Sequence, residues 1–191
     1  MVKVMSQRWV IGIDEVGRGA LAGPLVVAAV VMRTKRELKD SKQLSAKQRD
    51  KVLQEMQSIE SFFSATALVS SALLDRYGMT ASGVLAVDAV LRSIRRLLPD
   101  NSRPFVLLDG GLRASGEYPQ VTVIRGDAQL TVIAAASIVA KEYRDRLMRQ
   151  EHQRFPQYGF DAHVGYGTKR HYKALSRHGP SVIHRKSFRL T

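Results

Sequence analysis

Short apolar runs of strand length recur along the chain, separated by longer segments with helical spacing or polar character. The first run covers residues 9–13 and stops at the acidic pair Asp14-Glu15, and the second covers 25–32 after a glycine-rich turn. Continuous apolar runs of this length, rich in Val and Ile, predict buried strands. Three more strands are predicted on the same grounds, over 61–68, 104–108 and 121–124.

Between these runs, apolar residues recur every three or four positions and predict helices. Ser45 and Gln48 have the spacing of a capping box, which predicts a helix start at this point. Residues 70–77 predict a short helix that is closed by Gly78, and a longer amphipathic helix follows it.

Two more helices are predicted in the second half of the chain, over 132–148 and 168–177. Hairpin strands followed by strands that alternate with helices predict an α/β domain with a central mixed sheet flanked by helices. We expect the main domain to cover residues 1–150. A small C-terminal helical extension over 151–191 is expected to pack on it, so that the 191 residues form one globular unit.

Composition excludes several kinds of site and compartment. The chain contains no cysteine, which rules out disulfides, thiolate nucleophiles and zinc–thiolate centres. Its 45% hydrophobic and 25% charged residues are typical of a folded globular protein. No apolar run approaches the roughly 18 residues of a membrane span, and the first residues lack the pattern of a signal peptide. We therefore expect a cytoplasmic protein without a membrane partner, and a monomer is the default.

The net charge is +13, from 30 Lys and Arg residues against 17 Asp and Glu residues. A surplus of this size attracts polyanions, and the phosphate backbone of nucleic acid is the usual one. A basic surface without such a partner is the alternative, and charge alone does not exclude it. All five histidines follow Lys141, and we expect most of them at the surface or facing phosphate.

Acidic residues follow three of the predicted strands, namely Asp14 with Glu15, then Asp109, then Asp127. Open α/β sheets form their sites at the carboxyl ends of strands. Carboxylates brought together there repel one another unless divalent cations lie between them, and Mg²⁺ and Mn²⁺ prefer oxygen ligands. Two such ions activate a water molecule and stabilise the leaving oxygen of a phosphodiester. The pattern therefore predicts metal-dependent phosphodiester cleavage.

Each acidic residue also has an ordinary structural explanation. Asp14 is suited to a turn or a helix cap, and Asp109 and Asp127 adjoin glycines as turn residues do. In an ideal strand the neighbours Asp14 and Glu15 point to opposite faces. Their convergence requires either that the strand breaks there or that the longer Glu15 side chain reaches round.

The turn Gly17-Arg18-Gly19 lets backbone groups approach a sugar closely, which is one way to sense a 2′-hydroxyl. A flexible turn without a ligand is the alternative. The pattern is neither a P-loop nor a dinucleotide-binding fingerprint. Tyr166 lies in a segment where tyrosines alternate with basic residues. That mixture suits stacking on nucleic acid and suits the covering of a core equally well.

Several motifs, in the same order over nearly the whole chain, resemble those of the ribonuclease HII family. They are Ile13-Asp14-Glu15-Val16-Gly17-Arg18-Gly19, Leu21-Ala22-Gly23-Pro24, Asp40-Ser41-Lys42-Gln43-Leu44, Leu108-Asp109-Gly110, Arg125-Gly126-Asp127, Ala134-Ala135-Ala136-Ser137-Ile138-Val139-Ala140-Lys141, Tyr158-Gly159-Phe160, Gly165-Tyr166 and His184-Arg185-Lys186-Ser187-Phe188.

The resemblance implies a ribonuclease H-like fold with a C-terminal helical extension. It implies hydrolysis of the RNA strand of RNA/DNA hybrids and cleavage 5′ of single ribonucleotides embedded in duplex DNA, leaving 5′-phosphate and 3′-hydroxyl ends. The residues implied to be catalytic and to hold Mg²⁺ or Mn²⁺ are Asp14, Glu15, Asp109 and Asp127. Those implied to bind substrate are Gly17, Arg18 and Gly19 at the 2′-hydroxyl, Tyr166 at the neighbouring deoxyribose, and Lys42, Ser137 and Arg185 at phosphates.

Three other functions stay open on the residues alone. A non-catalytic nucleic-acid-binding module accounts for the charge but not for acidic residues after three strands. Another two-metal phosphodiesterase predicts cleavage of an all-DNA duplex as well. A structural or ribosome-associated basic protein predicts no dependence on divalent metal.

Overall fold

Five strands form one mixed sheet in the spatial order β3-β2-β1-β4-β5. The computed structural model describes residues 9–32, 44–116 and 118–191. The strands are β1 (Val10–Val16), β2 (Leu25–Val31), β3 (Phe63–Val69), β4 (Phe105–Asp109) and β5 (Gln120–Val123). Strand β2 is antiparallel to β1 and to β3, whereas β4 is parallel to β1 and to β5. The predicted α/β fold with a mixed sheet is confirmed.

Five α-helices are found in the described ranges. They are α1 (Ala46–Gln57), α2 (Ser71–Arg95), α3 (Thr131–Arg154), α4 (Phe160–His163) and α5 (Lys169–His178). Of these, α2 and α3 pack on the sheet directly. The predicted capping box is confirmed, because Ser45 and Gln48 each accept a hydrogen bond from the other's backbone N–H. The predicted break at Gly78 is also confirmed, since that residue interrupts α2 with a φ of 76°.

The two faces of the sheet pack on different helices, as the two-residue period of β2 requires. One face of β2 joins the core beneath α2 through Leu25, Val27, Ala29 and Val31. The other face joins the core beneath α1 and α3 through Val26, Ala28 and Val30. Burial on both faces explains why this strand is an unbroken apolar run.

Helix α3 lies against β1 at very short range. A Cβ atom on Gly12 would overlap the backbone of Val132 at the start of α3, so the close approach depends on glycine there. The helix ends at Arg154 and not at 148, and it therefore crosses the predicted domain boundary at residue 150. The division into 1–150 and 151–191 stays a prediction. Within the described part of the chain, no helix is long and apolar enough to cross a membrane.

Candidate active site

The strand register brings Asp14 and Asp109 to the same face of the sheet. Strands β1 and β4 are parallel, and their last paired residues are Ile13 and Leu108. Asp14 and Asp109 each come one residue later, so they are neighbours at the carboxyl ends of their strands. Because Ile13 and Leu108 belong to the core beneath α2, alternation turns both aspartates to the other face, where α3 lies.

Asp127 joins this pair from the turn that follows β5. A 3₁₀ turn, Gly126–Ala128, connects β5 to α3. The Gly126 N–H donates a hydrogen bond to Asp109 Oδ1 at 2.6 Å, so the turn that carries Asp127 also orients Asp109. One carboxylate oxygen from each of Asp14, Asp109 and Asp127 lies within 4.8 Å of the others. The structure therefore brings these three predicted ligands together.

Burial makes Asp14 an unusual carboxyl group. Its residue is only 4% exposed. This burial raises the pKa of Asp14 to about 8, against a hydrogen bond from Ser137 on α3 that lowers it, and the nearby charges of Glu15 and Asp109 raise it further. A carboxyl group held in this way is ionised at neutral pH only when a cation compensates its charge.

Glu15 lines the same cleft as Asp14 and Asp109. It lies outside the 4.8 Å group of Asp14, Asp109 and Asp127, which we call the aspartate triad. Of the two alternatives that the sequence left open, a break of the strand at Asp14-Glu15 does not occur. Strand β1 continues to Val16, held by pairing of Glu15 with Val27 of β2. The Glu15 side chain therefore leaves from the other face of the strand. Its Oε1 lies 3.6 Å from Arg18 Nη1, and its Oε2 is buried without a hydrogen-bond partner.

The donor set fits a hard divalent cation. The triad offers carboxylate oxygens only, which is the ligand type that Mg²⁺ and Mn²⁺ prefer. Burial raises the pKa of Glu15 as well, although the Arg18 guanidinium opposes this shift. The buried, unpartnered Glu15 Oε2 has the same requirement for a positive neighbour. Asp14, Asp109 and Asp127, with Glu15 beside them, are therefore the residues that could hold a metal.

A cleft of about 500 Å³ opens over this group of carboxylates. It is lined by Asp14, Glu15, Val16, Gly17, Arg18, Gly19, Arg49, Asp109, Ser137, Lys141 and Tyr166. Most of the residues predicted from the sequence thus share one surface. The exceptions are Lys42, which lies outside the described residues, and Asp127 and Arg185, which are buried behind the cleft.

The glycine loop, residues 17–24, is fixed from beneath by two buried arginines. Arg185 is fully buried, and its guanidinium donates to the backbone oxygens of Arg18 and Gly23. Arg144 is also fully buried and donates to the oxygens of Ala22 and Pro24. The phosphate contact expected of Arg185 finds no support in these positions. The contacts show instead that this side chain holds the loop.

Within the loop, Gly17 has a φ of 91°, and a Cβ atom on it would overlap the Arg144 side chain. A side chain on Gly19 would meet only open space. The two glycines therefore have different roles. The backbone conformation at Gly17 excludes a side chain, whereas a side chain at Gly19 would fit but would occupy space at the cleft.

Tyr166 reaches the cleft from the segment between α4 and α5. It forms an isolated antiparallel bridge with Ala20 of the glycine loop. The Gly165 oxygen accepts hydrogen bonds from the N–H groups of Leu21 and Ala22. The Arg144 guanidinium carbon lies 5.4 Å from the centroid of the tyrosine ring. Tyr166 is thus tied to the same loop that the buried arginines support.

Arg49 and Lys141 line the cleft and were not predicted from the sequence. Asp145 of α3, which is 5% exposed, holds both of them, with Lys141 Nζ at 2.6 Å and Arg49 Nη2 at 3.4 Å. The four-residue spacing of Ser137, Lys141 and Asp145 puts them on one helix face and could have indicated Lys141. No local pattern indicates Arg49, because α1 joins α3 only in the folded protein.

The prediction that most histidines are at the surface or face phosphate was wrong for three of the five. His163 is 8% exposed, His171 is 0% exposed and His184 is 1% exposed. They pack with Tyr158 and Phe160 beneath the segment that carries Tyr166. Sequence alone did not separate a buried histidine from an exposed one in this basic region.

Comparisons with known proteins agree with this geometry. The sequence model described as Ribonuclease HII matches residues 11–191. The chain is 45% identical over 184 residues to the ribonuclease HII of Rhizobium johnstonii, covering 94% of this chain and 77% of that protein.

Solved structures share the fold. The ribonuclease H2 from Pyrococcus horikoshii OT3 aligns with a TM-score of 0.75 and 25% identity, covering 95% of this chain and 94% of that one. Bst-RNase HIII in complex with Mn²⁺ aligns with a TM-score of 0.71 and 18% identity, covering 96% of this chain and 68% of that one. At the latter identity the similarity shows the fold alone.

Proposed function

The chain belongs to the ribonuclease HII family of ribonuclease H endonucleases, and on that premise we propose that it acts on two substrates. It hydrolyses the RNA strand of RNA/DNA hybrids, and it cuts 5′ of a single ribonucleotide embedded in duplex DNA. The products carry 5′-phosphate and 3′-hydroxyl ends.

The observation that carries this proposal is the convergence of Asp14, Asp109 and Asp127 at one end of the sheet. These three side chains, with Glu15 at the edge of the group, are the ligands of Mg²⁺ or Mn²⁺. The family depends on divalent metal, and the buried carboxylates of this chain fit that requirement. Divalent ions held by these residues would supply activation of the attacking water and stabilisation of the leaving oxygen.

The remaining cleft residues bind and orient the substrate. The backbone of Gly17, Arg18 and Gly19 faces the cleft and contacts the 2′-hydroxyl, which distinguishes RNA from DNA. Ser137 keeps Asp14 oriented through its hydrogen bond and contacts a phosphate near the cut. Tyr166 stacks on the deoxyribose beside the ribonucleotide.

Positive charge at the rim holds the phosphate backbone. Lys141 and Arg49 are fixed in the cleft by Asp145 and are suited to this contact. Lys42 is a further phosphate contact in the proposal, on the resemblance of its motif. Arg185 acts indirectly, because it fixes the loop that presents Arg18.

The test is cleavage of three matched duplexes: a DNA duplex with one ribonucleotide, an RNA/DNA hybrid and an all-DNA duplex. Each is incubated with Mg²⁺, with Mn²⁺ or with EDTA, and the product ends are mapped. We expect cleavage of the first two duplexes with metal only, 5′ of the single ribonucleotide. Equal cleavage of the all-DNA duplex, or cleavage in EDTA, would contradict the proposal.

Asp14→Asn is the matched inactive variant in this test, and Asp100→Asn is its control. Asp100 is exposed in the turn after α2 and is not among the cleft residues. The control should cleave as the unmodified chain does.

A further inference from the structure

Two buried histidines connect the C-terminal segment to the backbone of Tyr166. His171 of α5 has its Nδ1 2.9 Å from the Tyr166 carbonyl oxygen and its Nε2 3.0 Å from His184 Nε2. His184 Nδ1 lies 2.8 Å from the N–H of Ser181. The result is an unbroken chain of polar contacts, 181 to 184 to 171 to 166, which we call the histidine relay.

The direction of every hydrogen bond in the relay follows from its two ends. The Ser181 N–H and the Ser181 hydroxyl both lie 2.8 Å from His184 Nδ1, and because the N–H is only a donor, Nδ1 accepts and the proton of neutral His184 is on Nε2. His184 Nε2–H then donates to His171 Nε2, which leaves the proton of His171 on Nδ1. That proton is donated to the Tyr166 carbonyl oxygen, which is only an acceptor. One neutral tautomer of each ring satisfies the whole chain.

The segment that the relay reaches is strained. Val164 has a φ of 44°, a left-handed conformation that is costly for a β-branched residue. Such a conformation persists only where its surroundings fix it. Arg144 donates to the Val164 oxygen, and His163 Nδ1 accepts the Gly165 N–H. The relay adds the contact at Tyr166 itself, directly beside the cleft.

We propose that His171 and His184 are positioning residues, which fix the Tyr166 carbonyl and thereby hold the tyrosine ring in the cleft. Neither histidine lines the cleft, so they act through Tyr166. The predicted effect on cleavage rests on the proposed function, in which Tyr166 contacts the substrate. The predicted effect on the conformation of residues 164–166 does not depend on that contact. The relay is expected to matter most for the duplex with a single ribonucleotide, where the neighbouring deoxyribose is the stacking partner.

The relay has a spectroscopic signature. Ring ¹⁵N chemical shifts should show His171 with its proton on Nδ1, whereas His184 and His163 carry theirs on Nε2. His163 differs from His171 because its Nδ1 accepts from Gly165 and its Nε2–H donates to the Tyr158 oxygen. The finding that His171 carries its proton on Nε2 would overturn the assigned chain of donors.

A double-mutant cycle tests whether the relay acts through Tyr166. The variants are His171→Leu, Tyr166→Ala, and the two combined. We expect Tyr166→Ala to lower kcat/KM for the single-ribonucleotide duplex at least about ten-fold. His171→Leu should lower it roughly five-fold or more, and the combined variant should match Tyr166→Ala within about two-fold. Multiplicative losses in the combined variant would overturn the proposal.

Two further variants separate positioning from general damage to the fold. His178→Leu is the matched control, because His178 is exposed on the same helix and takes no part in the relay. It should leave activity unchanged. His171→Asn keeps an amide donor near the position of Nδ1, and it should recover much of the activity lost in His171→Leu. Failure of this recovery in a folded His171→Asn protein would count against the relay.

Amide hydrogen exchange at residues 165–168 distinguishes failure of this inference from failure of the proposed function. If Tyr166→Ala cleaves every substrate normally, the junction role of Tyr166 is wrong. Faster exchange of this segment in His171→Leu, with no change in His178→Leu, would still support the relay. Unchanged exchange in His171→Leu would overturn the relay whatever the activity shows.

Discussion

Two buried polar clusters lie close to the cleft, and they differ in the kind of partner that their side chains require. The aspartate triad places like charges together, and burial raises the pKa of Asp14 to about 8. In the histidine cluster, His163, His171 and His184, each ring has hydrogen-bond partners, and burial lowers the three pKa values. The first cluster could hold a cation, because it brings three carboxylates together, whereas the rings of the second are held by hydrogen bonds within the protein. The comparison indicates that the aspartates are suited to bind a metal, whereas the histidines are suited to fix the backbone around them.

The sharpest test of this contrast is neutralisation of the triad. Asp14→Asn and Asp109→Asn should each lower turnover on the order of 10³-fold, because each removes a metal ligand. Activity similar to that of the unmodified chain in either variant would remove that residue from the mechanism. Cleavage of the single-ribonucleotide duplex, with Asp100→Asn as control, is the measurement.

The same change should stabilise the protein when no divalent cation is present. Asp14→Asn removes a buried carboxyl group that lies beside like charges, and it keeps the shape of the side chain. We expect the thermal unfolding midpoint in EDTA to rise by a few degrees, since about 1 kcal/mol moves Tm by roughly 2–4 °C for a chain of this size. A lower midpoint would show that the triad is not under electrostatic strain.

Glu15→Gln should have a smaller effect on turnover than loss of a triad member, on the order of 10²-fold. Glu15 lies beside the 4.8 Å group and also contacts Arg18 at 3.6 Å. Steady-state cleavage with Mg²⁺ gives the comparison directly. A loss as large as that of Asp14→Asn would indicate that substrate or metal draws Glu15 into the group.

The histidine cluster should contribute to the pH dependence of the free energy of unfolding. Burial lowers the pKa of His184 to about 4 from its usual 6.5, and it lowers those of His163 and His171 as well. Between about pH 6.5 and 4 His184 therefore binds its proton in the unfolded chain more readily than in the folded chain, whereas Asp14, whose pKa is raised, has the opposite preference. The contribution of His184 to the free energy of unfolding should fall as pH is lowered through this range, by up to ~1.4 kcal/mol per pH unit, and His163 and His171 should contribute with the same sign.

Chemical denaturation at several pH values measures this slope. His171→Asn should reduce the loss of stability toward low pH relative to the unmodified chain, because one of the three histidines is removed. His178→Leu, at an exposed position on the same helix and outside the cluster, is the control. A slope that is insensitive to His171→Asn would contradict the assignment of the pH dependence to the cluster.

The smallest expected effect concerns the cations at the rim. Lys141→Met should weaken substrate binding a few-fold and reduce the slope of log affinity against log salt by about 1. Asp145 keeps its contact with Arg49 in this variant, so the fold should survive. Lys51, exposed on α1 and absent from the cleft, gives the control Lys51→Met. Equal salt slopes for the two variants would exclude a phosphate contact of Lys141.

The strands and most helices followed from local pattern. The apolar runs, the capping box at Ser45 and the break at Gly78 depend on neighbours in sequence, and the structure confirms them. The predicted boundaries that differ from the structure are those that depend on pairing with another strand or helix. Strand β1 continues through Asp14 because β2 pairs with it as far as Val16, and no local signal shows that pairing.

The sequence by itself determined that acidic residues follow three of the apolar runs, because each run and its carboxylates are adjacent in the chain. Only the tertiary structure decided which of them meet. The parallel register of β1 and β4 sets Asp14 beside Asp109, and the two-residue period turns Glu15 away. Burial of Arg185 and His184 beneath a loop more than 150 positions earlier in the chain was likewise decided by folding. The sequence identifies which side chains are charged. Long-range packing determines whether such a side chain faces the cleft or is buried and hydrogen-bonded to the backbone.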